Sequence, residues 1–239
     1  MPTSTNLYTQ NYTVMSKNKA APLVLTHFGE PHSGKTFEME RFIEKINPET
    51  VFVYKRGWEN DWKEYEEIRL FAEKNRLYFE YKKKDYDFAN CFMKLFKGKR
   101  VKSPRCMDLQ MKGEKLLFYL LCQGGYEGLF LHLEDAKAYI HSNMSPIVTA
   151  FFYETKNIGI RVGMIHHNPN EFPKKLWGAL THAKVFQNGA TVDTTKMGGF
   201  QHANTVKGVS EKVNQLPKYS YGLIDFRKGI VNYKKGKKK

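Results

Sequence analysis

Apolar residues in this chain gather into short runs separated by charged and glycine-containing breaks, and the runs alternate between two periods. Residues 22–28, 50–54, 77–81, 128–133, 159–165 and 183–187 are nearly continuous apolar stretches of strand length, the pattern of strands buried on both faces. Between them, apolar positions recur at helical spacing. Residues 36–46 carry Phe37, Met39, Phe42, Ile43 and Ile46, and residues 59–74 carry Trp62, Tyr65, Ile68 and Phe71. Further helices are expected from Asp85, as the cap, through Phe96, over 107–123 before Gly124 and Gly125, over most of 136–154 with a break near Ser145 and Pro146, over 171–181, and over 204–215. Residues 222–226 and 229–233 flank an Arg-Lys-Gly turn and predict a closing β-hairpin. Strands alternating with helices predict an α/β fold with a mostly parallel sheet in three layers.

Two segments fall outside that alternation. Residues 1–21 are polar and read as an N-terminal arm, and residues 234–239 as a basic C-terminal tail suited to phosphate contact. Residues 22–233 form the domain between them. At 239 residues, 41% hydrophobic and 14% aromatic, the chain is long and apolar enough for a large core. Thirty-nine Lys and Arg against 24 Asp and Glu leave +15, which points to a polyanionic partner, most often nucleic acid. The basic stretch 98–105 is the internal candidate for that contact. Cys91, Cys106 and Cys122 are widely spaced without a C-x-x-C pair, which argues against a disulfide framework or a zinc site. Apolar runs such as 116–122 are too short to span a bilayer, and a soluble protein of the cytoplasm is expected.

The chemistry starts at Gly29-Glu30-Pro31-His32-Ser33-Gly34-Lys35-Thr36, a match to G-x-x-x-x-G-K-[ST], the Walker A phosphate-binding loop. The glycines let successive amides turn inward around an anion. Lys35 reaches the β- and γ-phosphates of ATP, the Thr36 hydroxyl can ligate Mg2+, and the following helix, with Phe37 in its first turn, adds its positive end. A strand before the loop and a helix after it are the context this motif requires. Such a loop also needs a carboxylate at the end of a neighbouring strand. Glu134 and Asp135 follow the apolar run 129–133 and supply two, one to orient Mg2+ and one to polarise the attacking water. His166, His167 and Asn168 end the next strand and can sense the γ-phosphate; the residues alone leave open which of them points inward.

The order of these parts resembles the FtsK–HerA superfamily, in particular the small genome-packaging ATPases of icosahedral viruses and, beyond them, the zonula-occludens-toxin-like proteins of filamentous phages. The resemblance rests on residues 29–36, the strand ending Glu134-Asp135-Ala136, the Lys156-Asn-Ile-Gly159 lead into the next strand, Phe172-Pro173, residues 183–186, and the hairpin opening Tyr221-Gly-Leu-Ile-Asp225. It implies a P-loop NTPase with a RecA-like sheet and a ring-forming homo-oligomer, with a hexamer among the ring sizes. It also implies ATP-driven movement of viral DNA, capsid or membrane vertex proteins as partners, and a place in the host cytoplasm and at the virion vertex. By alignment, Glu134 takes the Mg2+ role and Asp135 the water-activating role, although the family usually reads Asp-Glu; a strand slipped by one residue would give Asp135 the metal instead. Lys156 stands where the family usually has an arginine that reaches a neighbour's nucleotide, with Arg161 the second candidate. His167 and Asn168 stand where the family often has glutamine. A nucleoside or nucleotide kinase, and a DNA-binding assembly protein switched by nucleotide, are the competing classes.

Overall fold

Strand β1 (Val24–Phe28) is buried at every position, and the rest of the chain is arranged on either side of it. The structure is a computed structural model that describes residues 22–55, 62–104, 112–138 and 140–236. The expected arm, Arg105 and the last three residues of the expected tail lie outside the described residues. After β1 come α1 (Lys35–Ile46), β2 (Thr50–Lys55), β3 (Glu66–Glu67), β4 (Arg69–Glu73), β5 (Arg76–Tyr81), β6 (Lys84–Asp87), α2 (Phe88–Phe96), β7 (Arg100–Pro104) and α3 (Lys112–Cys122). The second half holds β8 (Leu129–Leu133), α4 (Pro146–Ile158), β9 (Arg161–His166), β10 (His182–Phe186), α5 (Ala203–Asn214), β11 (Tyr221–Asp225) and β12 (Ile230–Lys234).

Nine of the described strands make one sheet in the order β12-β11-β10-β1-β9-β8-β2-β7-β3. From β10 through β3 the pairings are parallel, and β11 and β12 close the other edge as an antiparallel hairpin. One strand, β9, separates the strand before the phosphate loop from the strand that ends in the acidic pair. The fold is thus the expected three-layer, RecA-like P-loop sheet with a C-terminal hairpin. Alternate side chains go to opposite faces. Leu25, Val51, Val53, Phe130 and Ile165 pack under Met39, Phe42 and Ile43 of α1. Val24, Phe52, Leu131, Val162 and Val185 join the larger core with residues of α2, α3, α4 and α5.

Several local expectations are corrected. Residues 62–74 form no helix: β4, β5 and β6 are a separate antiparallel sheet. Its turns are Lys74-Asn75 and Lys82-Lys83, all four at positive φ between 47° and 63°, the two-residue turns whose twist matches a hairpin. Ile68 and Leu70 are buried around an exposed Arg69, a period of two that the coincident spacing of Trp62, Tyr65 and Ile68 conceals. Helix α2 begins at Phe88 and is capped by Asp87, which accepts from the Asn90 amide; Asp85 lies in β6. The basic stretch 98–105 is largely strand β7, with Val101 and Ser103 fully buried. Its Lys99 and Lys102 pair with Glu66 and Glu67, so the expected loop offers fewer unpaired cations to DNA than its composition suggests. Residues 136–138 make only a 3-10 turn before α4 starts at Pro146, and in place of a helix over 171–181 there are two 3-10 turns, Pro169–Glu171 and Lys174–Ala179, on either side of Pro173, where the proline restricts the residue before it.

Lys234 belongs to β12 rather than to the tail. Its Nζ lies 3.0 Å from Glu38 of α1, which also pairs with Lys184 at 3.4 Å and Arg41 at 3.0 Å. Burial pushes the Lys184 ammonium down to about 8 against the pull of Glu38. Burial also opposes the charge on Glu38, but the cations of Lys184 and Lys234 outweigh it and hold that carboxyl below its usual range. One carboxylate shared by three cations pins the closing hairpin to the helix that follows the phosphate loop.

Candidate nucleotide-binding site

The loop after β1 is tied to both neighbouring strands. The Gly29 amide donates to the carbonyls of His167 at 3.1 Å and His166 at 3.3 Å, and the Glu30 amide donates to Gln187 at 3.1 Å. A side chain at Gly29 would put its Cβ 2.7 Å from the Phe186 Cβ and 2.8 Å from the Ser33 Oγ, so glycine is required there by close approach. Gly34 turns the chain into α1 at φ 90°, a conformation that strains any residue with a Cβ. The first helical hydrogen bond runs from the Glu38 amide to the Gly34 carbonyl at 3.0 Å. The amides of Lys35, Thr36 and Phe37 precede it and are aimed out of the helix N-terminus, where an anion is favoured. Lys35 is 6% exposed. Its Nζ lies within the loop, donating to the carbonyls of Gly29 at 2.7 Å and Glu30 at 2.5 Å, with Ser33 Oγ at 3.4 Å. Burial lowers this ammonium to about 8, while Glu134, Asp135 and Glu30 act to keep its proton. Below that value the loop presents a positive charge at the point where phosphate would lie.

The acidic pair meets the loop across β9. Glu134 follows β8, with its amide on the Tyr54 carbonyl at 2.9 Å. Its Oε1 accepts from the Thr36 hydroxyl at 2.9 Å. Its Oε2 lies 2.7 Å from His132 Nε2 and accepts from Trp62 Nε1 at 3.2 Å. Burial opposes charge on this carboxyl, but the hydrogen bonds from His132, Thr36 and Trp62 outweigh it and hold it below the usual range. A hydroxyl and an ionised carboxylate in contact are hard oxygen donors suited to Mg2+, which commonly takes only one or two protein ligands beside phosphate oxygens and water. Among the described residues no three His, Cys, Asp or Glu side chains gather into a metal cage, so the fit is to a cation shared with a bound phosphate.

Asp135 stands at the same edge with a positive φ of 46°, and its Oδ1 is 3.3 Å from His167 Nε2. The three polar residues at the end of β9 therefore separate. His167 reaches the acidic pair. His166 is fully buried against Phe28 and Phe172, and burial lowers its imidazole to about 3. Asn168 turns its side chain to accept from the Asn170 amide at 2.7 Å, capping the 3-10 turn Pro169–Glu171. Lys156, exposed in the last turn of α4, and Arg161, the first residue of β9, lie toward the opposite edge of the sheet. Five residues of strand put Arg161 about 17 Å from the loop end of β9. Arg161 is 8% exposed and burial lowers its basicity. Neither cation joins the site of its own chain. Phe37 is 60% exposed, on the open side of α1.

Three residues without an assigned role in the sequence reading complete the site. His132 precedes Glu134 by two positions on one face of β8, a polar residue inside an apolar run. Its Nδ1 lies 3.1 Å from the Gly163 carbonyl, which holds the ring between β8 and β9. His27 sets its Nδ1 3.0 Å from the Lys35 carbonyl, and burial, with Lys184 nearby, keeps it neutral. Trp62, read as part of a helix, instead packs its ring 5.0 Å from that of His132.

No family model matches the chain, and no curated protein matches it in sequence. Solved structures do. The genome packaging NTPase B204 of Sulfolobus turreted icosahedral virus 2, in complex with AMPPCP, aligns with a TM-score of 0.64 over 91% of this chain and 99% of that one, at 11% identity. The same NTPase in complex with ATP-gammaS aligns with a TM-score of 0.62 over 89% and 96% of the two chains, also at 11% identity. B204 of Sulfolobus turreted icosahedral virus, described as a DNA-packaging ATPase, aligns at 0.57 over 88% and 96%, at 11% identity. In its sheet order, its glycine loop and its acidic strand end, this chain has the P-loop NTPase fold that those viral genome-packaging NTPases share.

Proposed function

We propose that the chain is an ATPase that drives DNA into a viral capsid. The observation that carries this reading is the hydrogen bond from Thr36 to Glu134, which joins the phosphate loop to the acidic strand end in the manner an NTP hydrolase needs. The similarity to packaging NTPases and the net charge of +15 support DNA as the polymer. In this reading Lys35 and the loop amides hold the phosphates. Thr36 and Glu134 would hold Mg2+, which would offset charge on the β- and γ-phosphates. Asp135 takes the proton of the attacking water, and His167 orients Asp135. Ring partners of the same chain, vertex proteins of the capsid or of a membrane, and residence in the host cytoplasm and at the virion vertex belong to the same proposal. Among the described residues no helix is long and apolar enough to cross a membrane.

A ring motor needs a cation from one subunit beside the next subunit's nucleotide. Lys156 is the first candidate because its side chain is exposed, whereas Arg161 is buried. Mixing Lys156→Ala subunits with wild type is expected to suppress ATP turnover by more than the mutant fraction, because each mutant silences a neighbour. Loss in strict proportion to that fraction contradicts the proposal that the sites are shared.

A further inference from the structure

The phosphate loop has an aromatic neighbour with no role in the chemistry above. Tyr219, just before β11, is 50% exposed and has φ 65°, a left-handed conformation that costs an aromatic residue energy. The surrounding turn enforces it. Gln187 Nε2 donates to the Leu216 carbonyl at 2.6 Å, the Ser220 amide donates to the Pro217 carbonyl at 3.1 Å, and the Gly236 amide donates to the Ser220 hydroxyl at 2.9 Å. The held ring stands at the loop: a Cβ on Gly34 would lie 3.5 Å from Tyr219 Cδ1. Lys218 Nζ lies 5.2 Å from the ring centroid. Phe37, in the first turn of α1, brings a second exposed ring to this end of the helix.

Tyr219 differs from the comparably exposed Tyr119 and Tyr153 in its left-handed backbone and its place beside Gly34 of the loop. Here a flat π-surface is held at energetic cost, in the open, beside amides and an ammonium that suit polyphosphate. The ligand matching that combination carries a planar heteroaromatic ring on the same molecule as its phosphates. We propose that Tyr219 is the platform on which the base of the bound nucleoside triphosphate stacks. Stacking needs only a π-face and little hydrogen-bond readout, so the platform adds affinity for the nucleoside without strong choice among purines. This inference rests on the nucleotide reading of the phosphate loop.

Calorimetric titration of the full chain with Mg-ATP and with Mg-tripolyphosphate tests it, because tripolyphosphate engages the loop and has no base. Tyr219→Ala is expected to weaken ATP binding about tenfold or more and to leave tripolyphosphate binding unchanged. Tyr219→Phe, which keeps the ring, should stay within about twofold of wild type for both ligands. Unchanged ATP affinity in Tyr219→Ala overturns the proposal. Equal losses for ATP and tripolyphosphate overturn it too, since they mark a residue that only shapes the loop. Wild-type protein that binds neither ligand refutes the nucleotide reading itself, and with it the platform.

Discussion

Lys35→Ala is expected to abolish ATP hydrolysis and to leave the fold intact. The ammonium donates to two loop carbonyls and a serine hydroxyl within a small volume, so the truncation removes a positive charge held inside the phosphate loop. Losing a preorganised charge at developing negative oxygens lowers turnover by about a thousandfold or more. The fold tolerates the change because the site already disfavours the charge: burial brings Lys35 down to about 8. Each of its two hydrogen bonds to loop carbonyls contributes about 1.5–3 kcal/mol, which the burial of the ammonium offsets. Turnover by a coupled phosphate-release assay, with a melting curve of the same sample, checks both halves. A variant that hydrolyses ATP near the wild-type rate contradicts the assignment of this loop.

Asp135→Asn is expected to stop turnover while Mg-ATP still binds, and Glu134→Gln to weaken the Mg2+ dependence of binding. Glu134 is the carboxylate in contact with Thr36, with its other oxygen held by His132 and Trp62. Removing its charge therefore weakens the Mg2+ dependence of nucleotide binding. Asp135 has a shorter side chain, faces His167 and lies one residue farther along, as a base acting directly or through one water would. Its φ of 46° is tolerated by asparagine, so the Asn variant keeps the backbone and deletes only the base. An interaction made only in the transition state lowers turnover without lowering affinity, and loss of a positioned base costs about 10^2 to 10^4 in rate. Binding lost in Asp135→Asn and kept in Glu134→Gln would favour the strand slipped by one residue.

The order of the layers is legible in the chain because strands of a parallel sheet are buried on both faces. The runs that became β1, β2, β8, β9 and β10 carry few polar residues, and glycines or charges bound them. The small sheet is not legible, for a physical reason. Trp62, Tyr65 and Ile68 are three apart and imitate a helix, while the turns that reverse the chain use Lys74-Asn75 and Lys82-Lys83 instead of the glycine pairs that usually mark such turns. The stretch that became β7 reads as a loop because its lysines obscure Val101 and Ser103, which fill the inward face.

In the site, the loop and the acidic pair are readable as local motifs, since each lies within a few residues of sequence. What fixes them is not. Trp62 meets Glu134 across 72 residues of chain, and Glu38 gathers Lys184 and Lys234 from strands far along the sequence. His132 carried a local signal: a histidine two positions before an acid on a buried strand shares its face. At the end of β9 composition cannot rank His166, His167 and Asn168. Burial of the first and the capping bond of the third leave the second facing Asp135.

If this site turns ATP hydrolysis into movement along DNA, the polymer and the nucleotide must be coupled. That coupling is tested most directly by steady-state ATP turnover of the full chain with and without single- and double-stranded DNA of mixed sequence, with Lys35→Ala as the blank. DNA is expected to raise turnover several-fold, and the stimulation to decline as salt rises from about 50 to 200 mM, since cationic contact with phosphates releases counterions. Turnover that neither DNA changes at any salt in that range, or transfer of the γ-phosphate to a nucleoside in place of its release, would contradict it.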